Sequence, residues 1–331
     1  MLDTSPYEVE LKNWGDIHDR YYDLSDSGKQ WVFRGQESSK WQIRTTLERV
    51  IVRFGSAERA FPDKCDPQYS EKLDAIFREI LLQGVIGHKT YRPSDIEGGL
   101  LRKFKRQCYL YTSNLPDDGD TMEWLALMRH YGAPTRLLDW TYSFFVALYF
   151  ALESAEGEAA VWALNTDWLQ ERVRTLAPKR LAILEHDPHV RQESFNKIFL
   201  EQPQAAIYAI NPYRRNERLS VQQGVFLCPG SIDIPFEDNL ATILNTPDAK
   251  DNFFKLRIGA DFKQRIEALR HLQRMNIFRL ALFPGLEGFA QSLTMLVSPD
   301  TLVPDKGWRW NNTSVPRKPS NKGLQMGRRR R

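Results

Sequence analysis

Hydrophobic positions along this chain switch repeatedly between spacings of three to four and strict alternation, so helices and strands are interleaved. Trp14, Ile17, Tyr21 and Leu24 share one face of a helix expected over 11–24. Trp31, Val32 and Phe33 then read as a strand that Arg34 and Gly35 end. The glycine is expected to bend the backbone so that Arg34 points into a cleft. Residues 41–47 read as a second strand or as a loop carrying Arg44, Thr45 and Thr46. A Pro- and Asp-rich loop covers 61–69, and helices are expected over 71–83 and 97–111, the second with Leu101, Phe104, Cys108 and Tyr111 on one face.

The densest pattern lies at 128–152. Gly132 and Pro134 stop the helix that arrives through Trp124 and Leu127, because glycine accepts a left-handed cap and proline disfavours helix before it. A strand is expected over 135–138, followed by a polar corner of Asp139, Trp140, Thr141 and Ser143 that can cap the next helix. That helix is apolar nearly all round, and Ala147 and Ala151, four apart, would let its backbone approach a sheet closely. Further strands are expected over 157–165, 206–210, 219–228, 254–258 and 277–282. Helices are expected over 167–200, broken at Pro178 and Pro188, from Asp261 through Met275, and over 286–296. These elements make an α+β fold with a central, mainly antiparallel sheet and an inserted helical region.

Composition changes this picture at the C-terminus. Residues 304–331 hold nine Lys or Arg against one acid, leaving 37 basic and 41 acidic residues, net −4, in the rest. The body is mildly acidic, which argues against a broad nucleic-acid face. The basic tail is expected to be disordered, either in weak contact with nucleic acid or an acidic surface or simply solvated. Cys65, Cys108 and Cys228 are odd in number and lack metal or disulfide spacing, so no metal site is expected and a reducing cytoplasm is the simplest setting. No stretch nears the ~20 apolar residues of a membrane helix, so no membrane association is expected.

Three blocks carry a resemblance: Phe33-Arg34-Gly35-Gln36, Arg129 through Thr141 (RHYGAPTRLLDWT), and Ala147-Leu148-Tyr149-Phe150-Ala151. With Arg218, Gln223, Gly224 and Phe226, and then Leu282 through Gly288 (LFPGLEG), they resemble the FRG domain family, named for its Phe-Arg-Gly motif. Arg129 stands where Gln is expected and Gly285 where Asp is expected. The likeness implies a lead-in over 1–29, helical by its pattern, an FRG domain over 30–293, and the tail over 304–331.

The succession of motifs also resembles ADP-ribosyltransferases, which implies a split sheet and NAD as a candidate co-substrate, with no cofactor required structurally. On that resemblance Arg34, Gln36, His130, Tyr131, Thr135, Arg136 and Thr141 are candidate contacts to NAD or a related nucleotide, and Asp139, Gln223 and Glu217 candidate catalytic groups. Gln222-Gln223-Gly224 occupies the place where a catalytic Glu is normal. An amide can bond a ribose hydroxyl but supplies no charge, so Glu217 or Asp139 would have to substitute. The implied setting is a bacterial toxin or phage-defence effector with an unspecified acceptor. A non-catalytic module binding a ligand or protein on the same scaffold is the competing reading. A packing explanation competes residue by residue: Asp139 pairing with Arg34 or Arg136, His130 bonding a carbonyl, and Thr141 capping a helix.

Overall fold

The computed structural model describes residues 7–53, 92–176, 188–214, 216–259 and 261–295. The helix expected over 71–83, the loop at 61–69, Cys65, Pro178 and the basic tail lie outside these residues.

Strands β1 (Tyr7–Leu11), β2 (Trp31–Gln36), β3 (Leu138–Thr141), β4 (Ala159–Asn165), β5 (Ile207–Ile210), β6 (Gly224–Pro229) and β7 (Phe253–Ile258) form one sheet in the order β1-β7-β4-β2-β3-β6-β5. All neighbours are antiparallel except β1 and β7. β2 pairs with β4 along its whole length but meets β3 through the single pair Phe33↔Thr141.

Among the described residues the helices are α1 (Trp14–Ser25), α2 (Thr46–Arg53), α3 (Pro93–Cys108), α4 (Thr121–His130), α5 (Phe144–Leu152), α6 (Thr166–Leu176), α7 (Pro188–Asn196), α8 (Glu217–Val221), α9 (Phe236–Leu244), α10 (Phe262–Arg274), α11 (Arg279–Leu282) and α12 (Leu286–Met295). They cover both faces of the sheet. On one face Val32, Leu138, Trp162 and Leu164 pack with Leu125 of α4, Leu169 of α6, Phe195 of α7 and Ile243 of α9. On the other, Phe33, Val161, Ala163 and Leu256 pack with α1, α5 and α10. The expected alternation in β4, with Val161 and Ala163 opposite Trp162 and Leu164, divides the two cores. None of the described helices is long and apolar enough to cross a membrane.

Gly35 explains how tightly α5 sits. A Cβ there would lie 2.0 Å from the Ala147 carbonyl oxygen and 2.6 Å from the Ala151 nitrogen. The two alanines do allow the close approach expected of them, and glycine is the matching feature on the strand. Gly35 therefore provides contact space rather than a bend, and β2 runs on to Gln36.

Several expected boundaries are corrected. Residues 135–137 are a connector, because the Thr135 carbonyl is taken by Leu47 N and the Thr46 hydroxyl, so the strand begins only at Leu138. The expected polar corner is thus mostly strand, and Ser143 caps α5 by accepting from Val146 N. The strand read over 219–228 begins with helix α8, which Asn216 caps by accepting from Leu219 N, and β6 starts after Gln223 turns the chain at φ 48°. The strand expected over 277–282 is helix α11, and 41–47 ends in the first turn of α2. The helix expected over 97–111 runs from Pro93, at a favoured first position, to Cys108. The polar-apolar alternation of Tyr7–Leu11 and the Pro235-led start of α9 went unread as elements.

Candidate functional site

Arg34 lies next to the single pair that joins β2 to β3, and its side chain reaches Asp139 on β3. Arg34 Nη1 donates to the Asp139 carbonyl oxygen at 2.5 Å, and its buried Nε has no hydrogen-bond partner among the described residues. Burial, with Arg49 and Arg129 nearby and only Asp139 opposing, pushes the guanidinium down to about 9. It remains a cation at neutral pH.

The Asp139 carboxylate is taken by Arg129 at the end of α4, through Nε at 2.8 Å and through Nη2. Burial alone would raise the pKa of Asp139. Arg129, Arg34 and Arg218 outweigh it and hold the carboxyl below its usual range. Yet 41% of its side-chain surface is open, so solvent reaches the centre of the cluster. Arg129, which stands where Gln is expected, is thus the ion-pair partner of Asp139; neither Arg34 nor Arg136 is.

Arg49 of α2 and Arg218 of α8 complete the cluster. Each is pushed down first by loss of solvent; Arg129 adds to this at Arg49 against Asp139 and Glu48, whereas at Arg218 the pull of Asp139 and Glu287 outweighs the push of Arg129 and Arg279. Among the described residues neither side chain has a hydrogen bond or an ion pair within bonding range. Arg218 lies over the Phe283 ring, 4.4 Å from its centroid. Two guanidiniums thus touch Asp139 and two more lie within its electrostatic reach, with Glu48 also acting on Arg49 and Glu287 on Arg218. Arg34, Arg129 and Arg218 are half-buried and Arg49 is exposed, and such an excess of cation favours an anionic ligand.

The other sequence candidates divide by location. His130 belongs to this rim: burial and then Arg218 lower its pKa, so it is neutral at pH 7, and Tyr131, exposed beside it, meets its ring edge-on at 4.8 Å. Gln223 is at the same end of the sheet, where its carbonyl accepts from Tyr142 N, and its side chain is exposed. The Thr141 hydroxyl donates to the Gln222 carbonyl at 2.7 Å and accepts from Ser143 N at 2.9 Å, which holds the β3–α5 turn.

Arg136 lies elsewhere. It is 2% exposed and pairs with Glu97 at 2.5 Å while donating to the Phe199 carbonyl. Gln36 is buried between Trp162 Nε1 and the Gln42 carbonyl, and Thr135 is fully buried. Glu217 is exposed in the first turn of α8. Sequence reasoning passed over Arg49, Arg129, Arg218, Phe283 and Glu287 as site residues. Arg129, Arg218, Phe283 and Glu287 stood within quoted motifs, and Arg49 shows only as a charge on a helix face.

A family model described as FRG domain matches residues 29–160. No curated protein and no solved structure matches the chain.

Proposed function

We propose that this chain, whose residues 29–160 match the FRG domain model, is a nucleotide-handling protein whose arginine cluster grips the phosphates of NAD or a related nucleotide. The observation that carries this reading is that Arg34 bonds the Asp139 carbonyl and Arg129 its carboxylate, while Arg49 and Arg218, within electrostatic reach of Asp139, have no hydrogen bond or ion pair among the described residues. A guanidinium's planar fork matches phosphate oxygens, and two unpaired forks supply the donors that a phosphate needs. The one-pair junction of β2 and β3, with Arg34 bonded across it, is in keeping with a split-sheet, ADP-ribosyltransferase-like reading.

If transfer occurs, the bond from ribose C1′ to the nicotinamide nitrogen breaks and nicotinamide leaves with the electron pair. The acceptor nucleophile then bonds C1′ and loses a proton. In that reading Asp139, held ionised, is the carboxylate that would stabilise positive charge on the ribose, and neutral His130 would act as the base. The setting proposed for such an activity is a toxin or phage-defence effector in the cytoplasm. Two observations favour a second, non-catalytic binding reading: Arg129 already neutralises Asp139, and Gln223 offers no charge.

Titration with NAD and ADP-ribose, with nicotinamide release followed in parallel, tests both. Wild type is expected to bind, and Arg34→Ala to weaken binding about 10- to 100-fold, the weight of a charged hydrogen bond. Because Arg34 bonds a carbonyl and not the carboxylate, the variant should lose only about 1–2 kcal/mol of stability. Nicotinamide release supports transfer, and binding without release supports the second reading. Absence of binding by wild type sinks the proposal.

A further inference from the structure

Arg218 poses a physical problem. Its guanidinium is surrounded by Arg129 and Arg279 as well as by Asp139 and Glu287. With neither hydrogen bond nor ion pair among the described residues to hold it, and with loss of solvent disfavouring its charge, a long flexible side chain would regain hydration by swinging outward. The ring beneath it supplies the missing restraint. Phe283 presents its face 4.4 Å from the Arg218 guanidinium carbon, and a cation held over an aromatic face keeps all its N–H donors free.

The ring is itself fixed from several sides. Phe150 of α5 meets it edge-on, 5.9 Å between centroids at 87°. Arg279, neutralised by Glu153, also lies over it at 4.8 Å. Gly288 packs on the Phe283 backbone, where any Cβ would come within 1.8 Å of the Phe283 carbonyl oxygen. Gly285 turns the chain between them at φ 105°, a conformation that Asp, the residue expected there, would adopt only under strain. Gln222 Nε2 donates to the Leu282 carbonyl at 3.0 Å, tying this corner to the end of α8, which carries Arg218.

We infer that Phe283 is a positioning residue: its π face holds the Arg218 guanidinium toward the Asp139 cluster with its donors free, so that the ligand's phosphate is met by a preoriented fork. The inference rests on the anion-binding reading of the cluster and deepens it, since the corner from Leu282 to Gly288 becomes part of the site's second layer of support. Preorientation lowers the ordering cost of binding, which appears as affinity.

The test is a double-mutant cycle read as Kd for ADP-ribose and inorganic pyrophosphate, with melting temperatures alongside. Phe283→Leu keeps apolar bulk without the π face and should weaken binding about tenfold, in keeping with the weight of a partly desolvated cation–π contact. Phe283→Tyr keeps the face and should restore near-wild-type affinity. In an Arg218→Met background, Phe283→Leu should have no further effect. Equal weakening by Phe283→Leu with and without Arg218 overturns the inference while the anion site stands, and so does a Phe283→Leu protein that binds as wild type. Wild type binding neither probe overturns the anion-site reading and this inference with it.

Discussion

Arg129 and Arg136 lie seven positions apart and meet opposite fates. Arg136 is sealed against Glu97 beneath α3, where removing either partner would leave a buried charge and cost about 3–5 kcal/mol. Arg129 ends α4 at the open rim and shares Asp139 with three other cations. Glu48 in α2 shows the third case, a carboxyl that is buried without adequate compensation. Desolvation pushes it up to about 7 from its ordinary 4.5; bonds from Phe236 N and Thr45 and the pull of Arg44, 3.9 Å away, lower it, while Glu237 raises it. The sign follows: a raised native pKa means that Glu48's contribution is fullest below about pH 4.5 and is lost as pH rises through about 7. Glu48→Gln should therefore be more stable than wild type by about 1–3 kcal/mol at pH 8, with the difference shrinking toward pH 5. Urea unfolding at the two pH values measures this, and parallel curves for the two proteins would refute it.

At the scale of elements, the contact of α5 with β2 is what the Phe-Arg-Gly motif builds. Gly35→Ala must push its new methyl into the Ala147 carbonyl, and backbone cannot yield as a side chain can. The expected cost is at least about 1–3 kcal/mol, a fall of roughly 2–12 °C in melting temperature for a body of this size. Because Arg34 is the preceding residue, ADP-ribose affinity should fall in the same variant. A Gly35→Ala protein with unchanged melting and binding would show that β2 and α5 have slack. The corrected elements have a common cause. In 135–137, 219–221 and 279–282, local alternation or apolar content suggested strand, but side-chain caps and contacts from distant segments decided otherwise, as Thr46 does for Thr135 and Asn216 for α8.

At the scale of the molecule, the site is assembled from α2, β2, α4, β3, α8 and the loop after α11, so its excess positive charge is a property of the fold and not of any one segment. A multivalent anion should relieve that repulsion. Pyrophosphate at about 100 times its Kd is expected to raise stability by about 2.7 kcal/mol, and the gain should shrink as salt rises. Thermal melts across a salt series in wild type and in an Arg49→Ala, Arg218→Ala double variant check it. The double variant should lose most of the gain, and an undiminished gain there would place the bound anion elsewhere.

What the amino-acid order determined by itself is local. Alternation in β4, helical spacing in α1 and α10, and the paired alanines of α5 report how one segment meets the core, and they were legible because burial acts on a fixed period. Arg34 and Asp139 were legible too, as charges set in apolar frames. Tertiary structure alone decided which charge meets which. Asp139 went to Arg129, ten residues away, because α4 ends above β3, while Arg136 turned to Glu97 and Arg218 found Phe283 across 65 positions. Electrostatic partners are chosen by distance in space, and no period along the chain encodes that distance.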